Sequence, residues 1–304
     1  MSENANNISV SKVDEINLKE ILNVIWEGRN FVSIVTSGFV LISIFYALTA
    51  PKIWVSDALL TTVEATGAGT QGSSKMAGLA SMAGINISGA GSDKSSIAIA
   101  TIQSRDFFIH LLSKDGVLEN LMAFEGYDEE TGRSLFNPEI FNSKESKWLV
   151  PRPSYLDAYE VYKGVLGITY NKLNGLMSMT VSHQSPYFAK DFLSLIIQEA
   201  NYLSRERNLL ESKKSLEYLN EELLKTKQSE VVLAISSLIE SQLKNQMFAR
   251  AKDNYLLQPI DTPYIPEQRS SPQRKQIVVF GAFIGFILSM FVVLIRYFTH
   301  KLLK

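Results

Sequence analysis

A glycine-rich stretch after the first strand-like run has the spacing of a nucleotide-binding loop. Gly67, Gly69 and Gly72 fit the pattern G-x-G-x-x-G, whose glycines let the backbone approach the pyrophosphate of a dinucleotide. Asp93 follows about 20 residues later, where an acid would bind the ribose. However, residues 67–91 contain seven glycines, and so biased a composition produces this pattern by chance. We therefore expect a loop that binds no nucleotide, and we expect no other cofactor.

The remaining residue types exclude most kinds of catalytic or metal centre. The chain has no cysteine, which rules out disulfides, thiol nucleophiles and cysteine-ligated metals. Its three histidines, His110, His183 and His300, lie far apart, and we expect them to be surface or hydrogen-bonded core residues. The acidic cluster 128–130 has no partner histidine and is expected to be a solvated turn. The sequence therefore predicts no enzyme active site and no metal site.

The charges of the chain are nearly balanced. There are 30 lysines and arginines against 31 aspartates and glutamates. A nucleic-acid-binding protein usually carries an excess of basic residues on one face. We therefore expect no nucleic-acid partner.

Two uncharged apolar runs, residues 31–50 and 276–295, are each twenty residues long. A helix of that length measures about 30 Å, the thickness of the hydrocarbon layer, so both runs are predicted transmembrane helices. The first begins too far into the chain for a cleaved signal peptide. Residues 1–30 and 296–304 then share one side, which we expect to be the cytoplasm. The long segment 51–275 lies outside it, because long loops cross largely regardless of charge.

The long segment reads as a mixture of helix and strand. Alternating and β-branched residues predict strands at Ile53–Val63 and Leu176–Val181. Apolar residues at helical spacing predict helices over 95–125 and 155–166. Residues 126–153 are rich in turn formers and are predicted to be a loop.

The strongest helical signal is a run of 72 residues without glycine or proline, from Tyr187 to Gln258. Leucines at heptad steps with charged residues between them are typical of a coiled coil. Because both flanking segments must return to the membrane, we expect a helical hairpin over 186–258. It would turn at 225–230, with Ser229 as the N-cap of the returning arm.

The returning arm, Val231–Leu257, carries an apolar stripe that is either hairpin core or a surface for a partner helix. The stripe consists of Val232, Ile235, Ile239, Leu243 and Met247.

Residues 259–275 hold four of the nine prolines of the chain. Proline fixes φ and removes a backbone donor, so this segment is predicted to be a stiff, extended connector. It leads into the second apolar run, where Gly281 and Gly285 form a G-x-x-x-G pattern that allows two helices to approach closely.

These features resemble the polysaccharide co-polymerases, the Wzz family of chain-length determinants. The runs EINLKEILNVIWEGRNFVSIV and ALTAPKIWVSDALL are similar to that family's approach to and exit from the first span. The carboxyl segment from SSLIESQLKNQ to GAFIGF is similar to the family's signature there. The motif positions in this chain are Asp261, Pro263, Pro266, Glu267, Pro272, Arg274, Gly281 and Gly285.

The resemblance implies an α+β protein of the bacterial inner membrane, with two transmembrane helices flanking a periplasmic α/β base and a long protruding helical hairpin. It implies a ring-like homo-oligomer without a catalytic centre. Its role would be to set the length distribution of the O-antigen of lipopolysaccharide, or of a similar surface polysaccharide made by a Wzy-type polymerase. The implied partners are other copies of the chain, the polymerase, the growing glycan and the lipid bilayer.

Three other functions share parts of this pattern. A capsule or exopolysaccharide export adaptor, working with a separate cytoplasmic tyrosine kinase, has a similar layout, but residues 296–304 contain a single tyrosine, Tyr297. A receptor would need a cytoplasmic output domain, which we do not expect in the nine residues after the second span. A membrane-anchored enzyme would need catalytic groups that the sequence does not suggest.

Overall fold

The protein is described by a computed structural model that covers Val24 and residues 26–63 and 90–302. The described residues divide into a helical unit, which lies within residues 1–52 and 271–304, and a sheet unit, which lies within residues 53–270. The predicted glycine loop Gly67–Gly72 and the side chain of Asp93 lie outside the described residues.

Eight helices and eight strands lie in the described residues. The helices are α1 (Arg29–Thr49), α2 (Ala90–Ile102), α3 (Arg105–Leu111), α4 (Val117–Met122), α5 (Tyr155–Val165), α6 (Pro186–Lys225), α7 (Ser229–Ala251) and α8 (Arg274–Leu302). The strands are β1 (Trp54–Thr62), β2 (Phe124–Tyr127), β3 (Ser134–Phe136), β4 (Phe141–Asn142), β5 (Lys147–Trp148), β6 (Leu166–Asn171), β7 (Leu176–His183) and β8 (Leu257–Asp261).

The helical unit contains α1 and α8, which are long and apolar enough to cross a membrane. They start two residues before the predicted runs 31–50 and 276–295, and α8 also continues past its run. Both helices therefore include charged or polar residues that lie outside the uncharged run. The predicted α+β class, with apolar helices near both ends of the chain, is confirmed.

The centre of the sheet unit is a four-stranded antiparallel sheet in the order β6-β7-β1-β8. Its core face follows the twofold alternation of the strands. Ser56, Ala58 and Leu60 of β1 are buried, and the pairing places Ala58 opposite Met179 and Leu60 opposite Met177. The predicted strands at the positions of β1 and β7 are confirmed.

The first half of α6 covers this core face. Ser185 accepts a hydrogen bond from the backbone N–H of Phe188, and Pro186 occupies the first turn, so the helix starts sharply after β7. Its buried residues recur at helical spacing: Ala189, Phe192, Leu193, Ile196, Ile197, Ala200 and Asn201.

The segment between β1 and β7 is more broken than predicted. The helix expected over 95–125 is three short helices, because Ser104 caps α3 and Gly116, with φ 80°, precedes α4. The loop expected over 126–153 contains two small β-hairpins, β2–β3 and β4–β5. Their strands of two to four residues are too short to leave a periodic pattern in the sequence. Helix α5 is confirmed, and β6 was not predicted.

The expected helical turn at 225–230 is present, since α6 ends at Lys225 and α7 begins at Ser229. Ser229 is not the N-cap; Gln228 takes that position without a side-chain hydrogen bond. Forty and 23 residues give arms of about 60 Å and about 35 Å.

The predicted stripe of α7 is only partly correct. Ile235 is buried, but the side chains of Leu243 and Met247 are 48% and 70% exposed. From Ile235 onwards the predicted stripe steps by four residues, whereas the inward-facing positions Ile235, Gln242 and Ala249 recur every seven, so the stripe winds away from the inward face. Ala249 is buried near the end of α7, and Gln242 and Gln246 are half-buried.

The returning arm also ends earlier than predicted. Helix α7 ends at Ala251, and the expected helical residues up to 257 lead into β8, which pairs antiparallel with β1. Pro259 lies opposite Leu60 on this edge strand, where a residue without an N–H is tolerated.

Asn201 fastens this chain reversal to α6. Its buried side-chain oxygen accepts hydrogen bonds from the backbone N–H groups of Leu256 and Leu257, at 2.7 and 2.8 Å. Its amide donates to the carbonyl of Leu257 at 3.0 Å. One side chain thus satisfies three backbone groups where β8 begins.

Replacing Asn201 with alanine should destabilise the protein, because it leaves these backbone groups buried and unpaired. The cost is about 1–3 kcal/mol for each such group. Chemical unfolding of the full chain in detergent measures it, and hydrogen exchange should increase at residues 256–257. Asn208→Ala is the matched control on the same helix, since the Asn208 oxygen has no partner among the described residues. Equal losses for the two variants would contradict this role of Asn201.

His183 should make the stability of the sheet unit depend on pH. Its Nδ1 accepts from the N–H of Ser185 and its Nε2 donates to the carbonyl of Asn120, so the half-buried ring is held neutral. Burial lowers the pKa of His183 from 6.5 to about 4. Between these values the unfolded chain binds a proton that the folded chain does not. The stabilisation is therefore complete above pH 6.5 and is lost as the pH falls towards 4.

The slope from this group should be about 1.4 kcal/mol per pH unit within that window. It is measured as the difference in unfolding free energy between wild type and His183→Gln at several pH values. A constant difference across the window would contradict the prediction.

Candidate functional site

The candidate site has two parts: the return segment, residues 257–270, in the sheet unit, and the glycine face of α8 in the helical unit. The return segment runs along β1 towards the start of that strand. The buried Ser56 hydroxyl donates to the carbonyl of Tyr264 at 2.8 Å, and the N–H of Ser270 donates to the carbonyl of Ile53 at 2.9 Å. The chain thus enters and leaves the sheet unit at one point.

Tyr264 is fastened to β1 a second time, through its phenol. A hydrogen bond to the carboxylate of Asp57 raises the pKa of this tyrosine, and the negative charge of Asp57 adds to the effect. The residue is largely solvent-exposed, so this contact orients the ring at the surface.

The motif residues of the return segment take different environments. Asp261 ends β8 opposite Leu59 and is exposed, as is Glu267. Pro263 is half-buried and Pro266 is buried. Over these residues, the segment predicted to be a stiff, extended connector lies along the edge of the sheet.

Two further motif residues, Pro272 and Arg274, belong to the helical unit. Pro272 follows a cis peptide bond, and Arg274 is the first residue of α8. The Nε atom of Arg274 is buried and has no hydrogen-bond partner among the described residues.

Gly281 and Gly285 lie against α1 of the same chain. A Cβ atom on Gly281 would lie 1.7 Å from the hydroxyl of Ser43, and one on Gly285 would lie 2.7 Å from the Cβ of Phe39. At the other end of the pair, a Cβ on Gly28 would lie 2.8 Å from Val293. The two helices are therefore antiparallel, and they approach to a distance that only glycine permits.

His110 and His183, the two histidines whose side chains are described, do not assemble a centre. His110 contacts the carboxylate of Glu199 at 2.6 Å, which also receives Lys114 at 2.6 Å. Burial alone would raise the pKa of Glu199, but the hydrogen bonds from Lys114 and His110 lower it. The side chain of His300 lies outside those described.

Within the described residues, no three histidine, aspartate or glutamate side chains converge as ligands for a metal ion. The acidic cluster 128–130 is a turn: Asp128 accepts from the N–H of Glu130 and from the hydroxyl of Thr131. These two hydrogen bonds lower the pKa of Asp128.

The polar anchors of the return segment were not predicted, although the sequence contains a signal for each. Ser56 is a hydroxyl at a core-facing position of an alternating strand. Asn201 is an amide one turn after Ile197 on the apolar face of a helix. A buried polar side chain requires a partner, so such isolated positions point to a fastening function.

Part of this chain is similar to a known protein family. The family described as Wzz, chain length determinant protein, matches residues 14–114, a segment that includes α1, β1, α2 and α3. The resemblance identified from the sequence is confirmed. No curated protein matches the chain.

Among solved structures, the chain is similar to a full-length bacterial polysaccharide co-polymerase. The identity is 13%, the alignment covers 94% of this chain and 99% of that one, and the TM-score is 0.38. Co-polymerases of this family typically form oligomers. The two apolar helices fit a two-pass membrane protein of this kind.

The double variant Gly281→Leu, Gly285→Leu should separate α1 from α8, because neither site has room for a side chain. The chain has no cysteine, so Ala47→Cys and Ile277→Cys, one turn beyond the Ser43–Gly281 contact, can report the pairing as an intrachain disulfide. We expect this disulfide in the otherwise unchanged chain and its loss in the leucine variant. Gly38→Leu is the control, since nothing lies within 4 Å of a Cβ there. A disulfide retained in all three backgrounds would contradict close packing through the glycines.

Proposed function

We propose that this chain sets the length distribution of a surface polysaccharide, such as O-antigen, made by a Wzy-type polymerase. It acts as a non-catalytic homo-oligomer in the bacterial inner membrane. The observation that carries the proposal is the match to the chain-length determinant family over residues 14–114. The alternating order of apolar helix, sheet unit and apolar helix supports it.

In the proposed orientation both termini are cytoplasmic and residues 51–275 are periplasmic. Two spans require both ends on one side, and a segment of this length crosses largely regardless of its charge. The sheet unit and the hairpin would then lie on the side of the membrane where the glycan is polymerised.

The proposal gives the motif residues mechanical roles. The return segment, with Pro263 and Pro266 along the sheet edge, brings the last residues of the sheet unit beside the start of β1. Gly281 and Gly285 hold α8 against α1. Together they transmit the arrangement of the hairpins in an oligomer to the membrane helices, which would contact the polymerase.

Loss of the gene should leave polymerisation active but remove the modal length. We expect a broad distribution weighted towards short chains on a gel of surface glycan, because the polymerase then stops without a length-setting partner. The wild-type chain supplied in trans should restore the mode.

Two results would contradict the proposal. Complete loss of long glycan would indicate an essential export component or polymerase. An unchanged distribution, together with a co-purifying tyrosine kinase, would favour the capsule-export adaptor.

A further inference from the structure

A groove of about 810 Å³ lies in the sheet unit between α6 and the helices α2 and α3. Its floor includes Phe107 and Leu203. At its edges the side chains of Ile97 and Leu210 are 61% and 55% exposed. Large aliphatic side chains at the edges of an open apolar groove are typical of a surface that another protein covers.

A second apolar surface lies on α7, on a different part of the sheet unit. Leu243 and Met247 are one turn apart on one face, and both point away from the hairpin core. No residue of α7 lines the groove, so the two surfaces are distinct.

The charges around the two surfaces are complementary. The groove carries two acids and one base, and the α7 surface carries one acid and two bases. All six side chains are exposed, and none has an ion pair among the described residues. They are Asp106, Glu206 and Arg207 in the groove, and Glu240, Lys244 and Arg250 on α7.

The two surfaces also lie at the same height on the hairpin. Leu210 precedes Lys227, in the turn, by 17 residues, and Leu243 follows it by 16. At 1.5 Å per residue they are about 26 Å and about 24 Å from the turn. A closed ring whose axis runs along the hairpin needs its two contact surfaces at one height, because a pure rotation adds no rise.

We propose that α7 of one copy docks, through Leu243 and Met247, in the groove between α2, α3 and α6 of the next copy. The contact is heterologous, since each copy contributes a different surface, and repeated contacts close into a ring. This inference rests on the homo-oligomer of the proposed function and specifies its interface.

The absence of cysteine makes a direct test possible. Full-length Leu210→Cys and Leu243→Cys chains with different tags are co-expressed, and the membranes are oxidised. We expect a disulfide-linked dimer that carries both tags and little dimer from either chain alone. Because the cysteines are on separate chains, no intrachain disulfide can mimic this product.

Leu233→Cys is the matched control on α7. Leu233 is 71% exposed but lies only six residues beyond Lys227, about 9 Å from the turn. Its yield with Leu210→Cys should be several-fold lower than that of Leu243→Cys. Equal yields would overturn the proposal, as would stronger cross-linking of Leu210→Cys to itself, which indicates a twofold contact. Absence of any cross-link would overturn it too.

A charge exchange tests the register independently. In the Leu210→Cys chain, Asp106→Lys together with Glu206→Lys should reduce the yield of mixed dimer several-fold. Adding Lys244→Glu and Arg250→Glu to the Leu243→Cys chain should restore that yield. A misfolded groove cannot be rescued in this way, so failure of the rescue counts against the proposal. Cross-linking is measured without glycan. If the cross-links support this interface but loss of the gene leaves the glycan length distribution unchanged, only the proposed function is contradicted.

Discussion

The sheet unit depends on the antiparallel pairing of β1 with the segment that returns from the hairpin. Between Ile53 and Ser270 the chain forms the short helices, two small hairpins and two long helical arms. A backbone hydrogen bond nevertheless joins Ile53 directly to Ser270. The loop-closure entropy of so long an excursion is modest, but it must be offset by contacts at the point of closure. The ladder between β1 and β8, the Ser56–Tyr264 hydrogen bond and the Asn201 clamp provide those contacts.

The clamp shows why polar residues occupy this core. Proline-rich backbone cannot form a complete ladder, because each proline removes one donor. Side chains of the neighbouring elements add hydrogen bonds to other backbone groups of this region: the Ser56 hydroxyl donates to the carbonyl of Tyr264, and Asn201 pairs with Leu256 and Leu257. Each is buried, and each makes the contacts that its burial requires. The prolines in turn keep the sheet edge from pairing with another strand.

The parts that could be predicted are those with a long, uniform pattern. Two uncharged runs and 72 residues without glycine or proline predict α1, α8 and the paired helices α6 and α7, since burial and helix propensity act over many turns there. Strands β2 to β5 and β8 were missed because two to five residues carry no detectable period, and β8 contains a proline. The exposure of Leu243 and Met247 was missed for a different reason. The predicted stripe steps by four residues from Ile235 onwards, whereas the inward face of α7 recurs in alternating steps of three and four, so the two diverge along the helix.

The two kinds of apolar contact in this chain require opposite residues. In the bilayer, lipid solvates leucine as well as a neighbouring helix does, so α1 and α8 gain by close backbone approach, and glycine provides it. Gly281 and Gly285 pack against α1 of the same chain, so the glycine face of α8 is already occupied. Outside the bilayer, water drives association, and exposed leucine and methionine are the costly groups that a partner can cover. In the proposed oligomer, the exposed Leu210, Leu243 and Met247 of the hairpin provide the contacts between copies, and the charges that flank them give these contacts a direction.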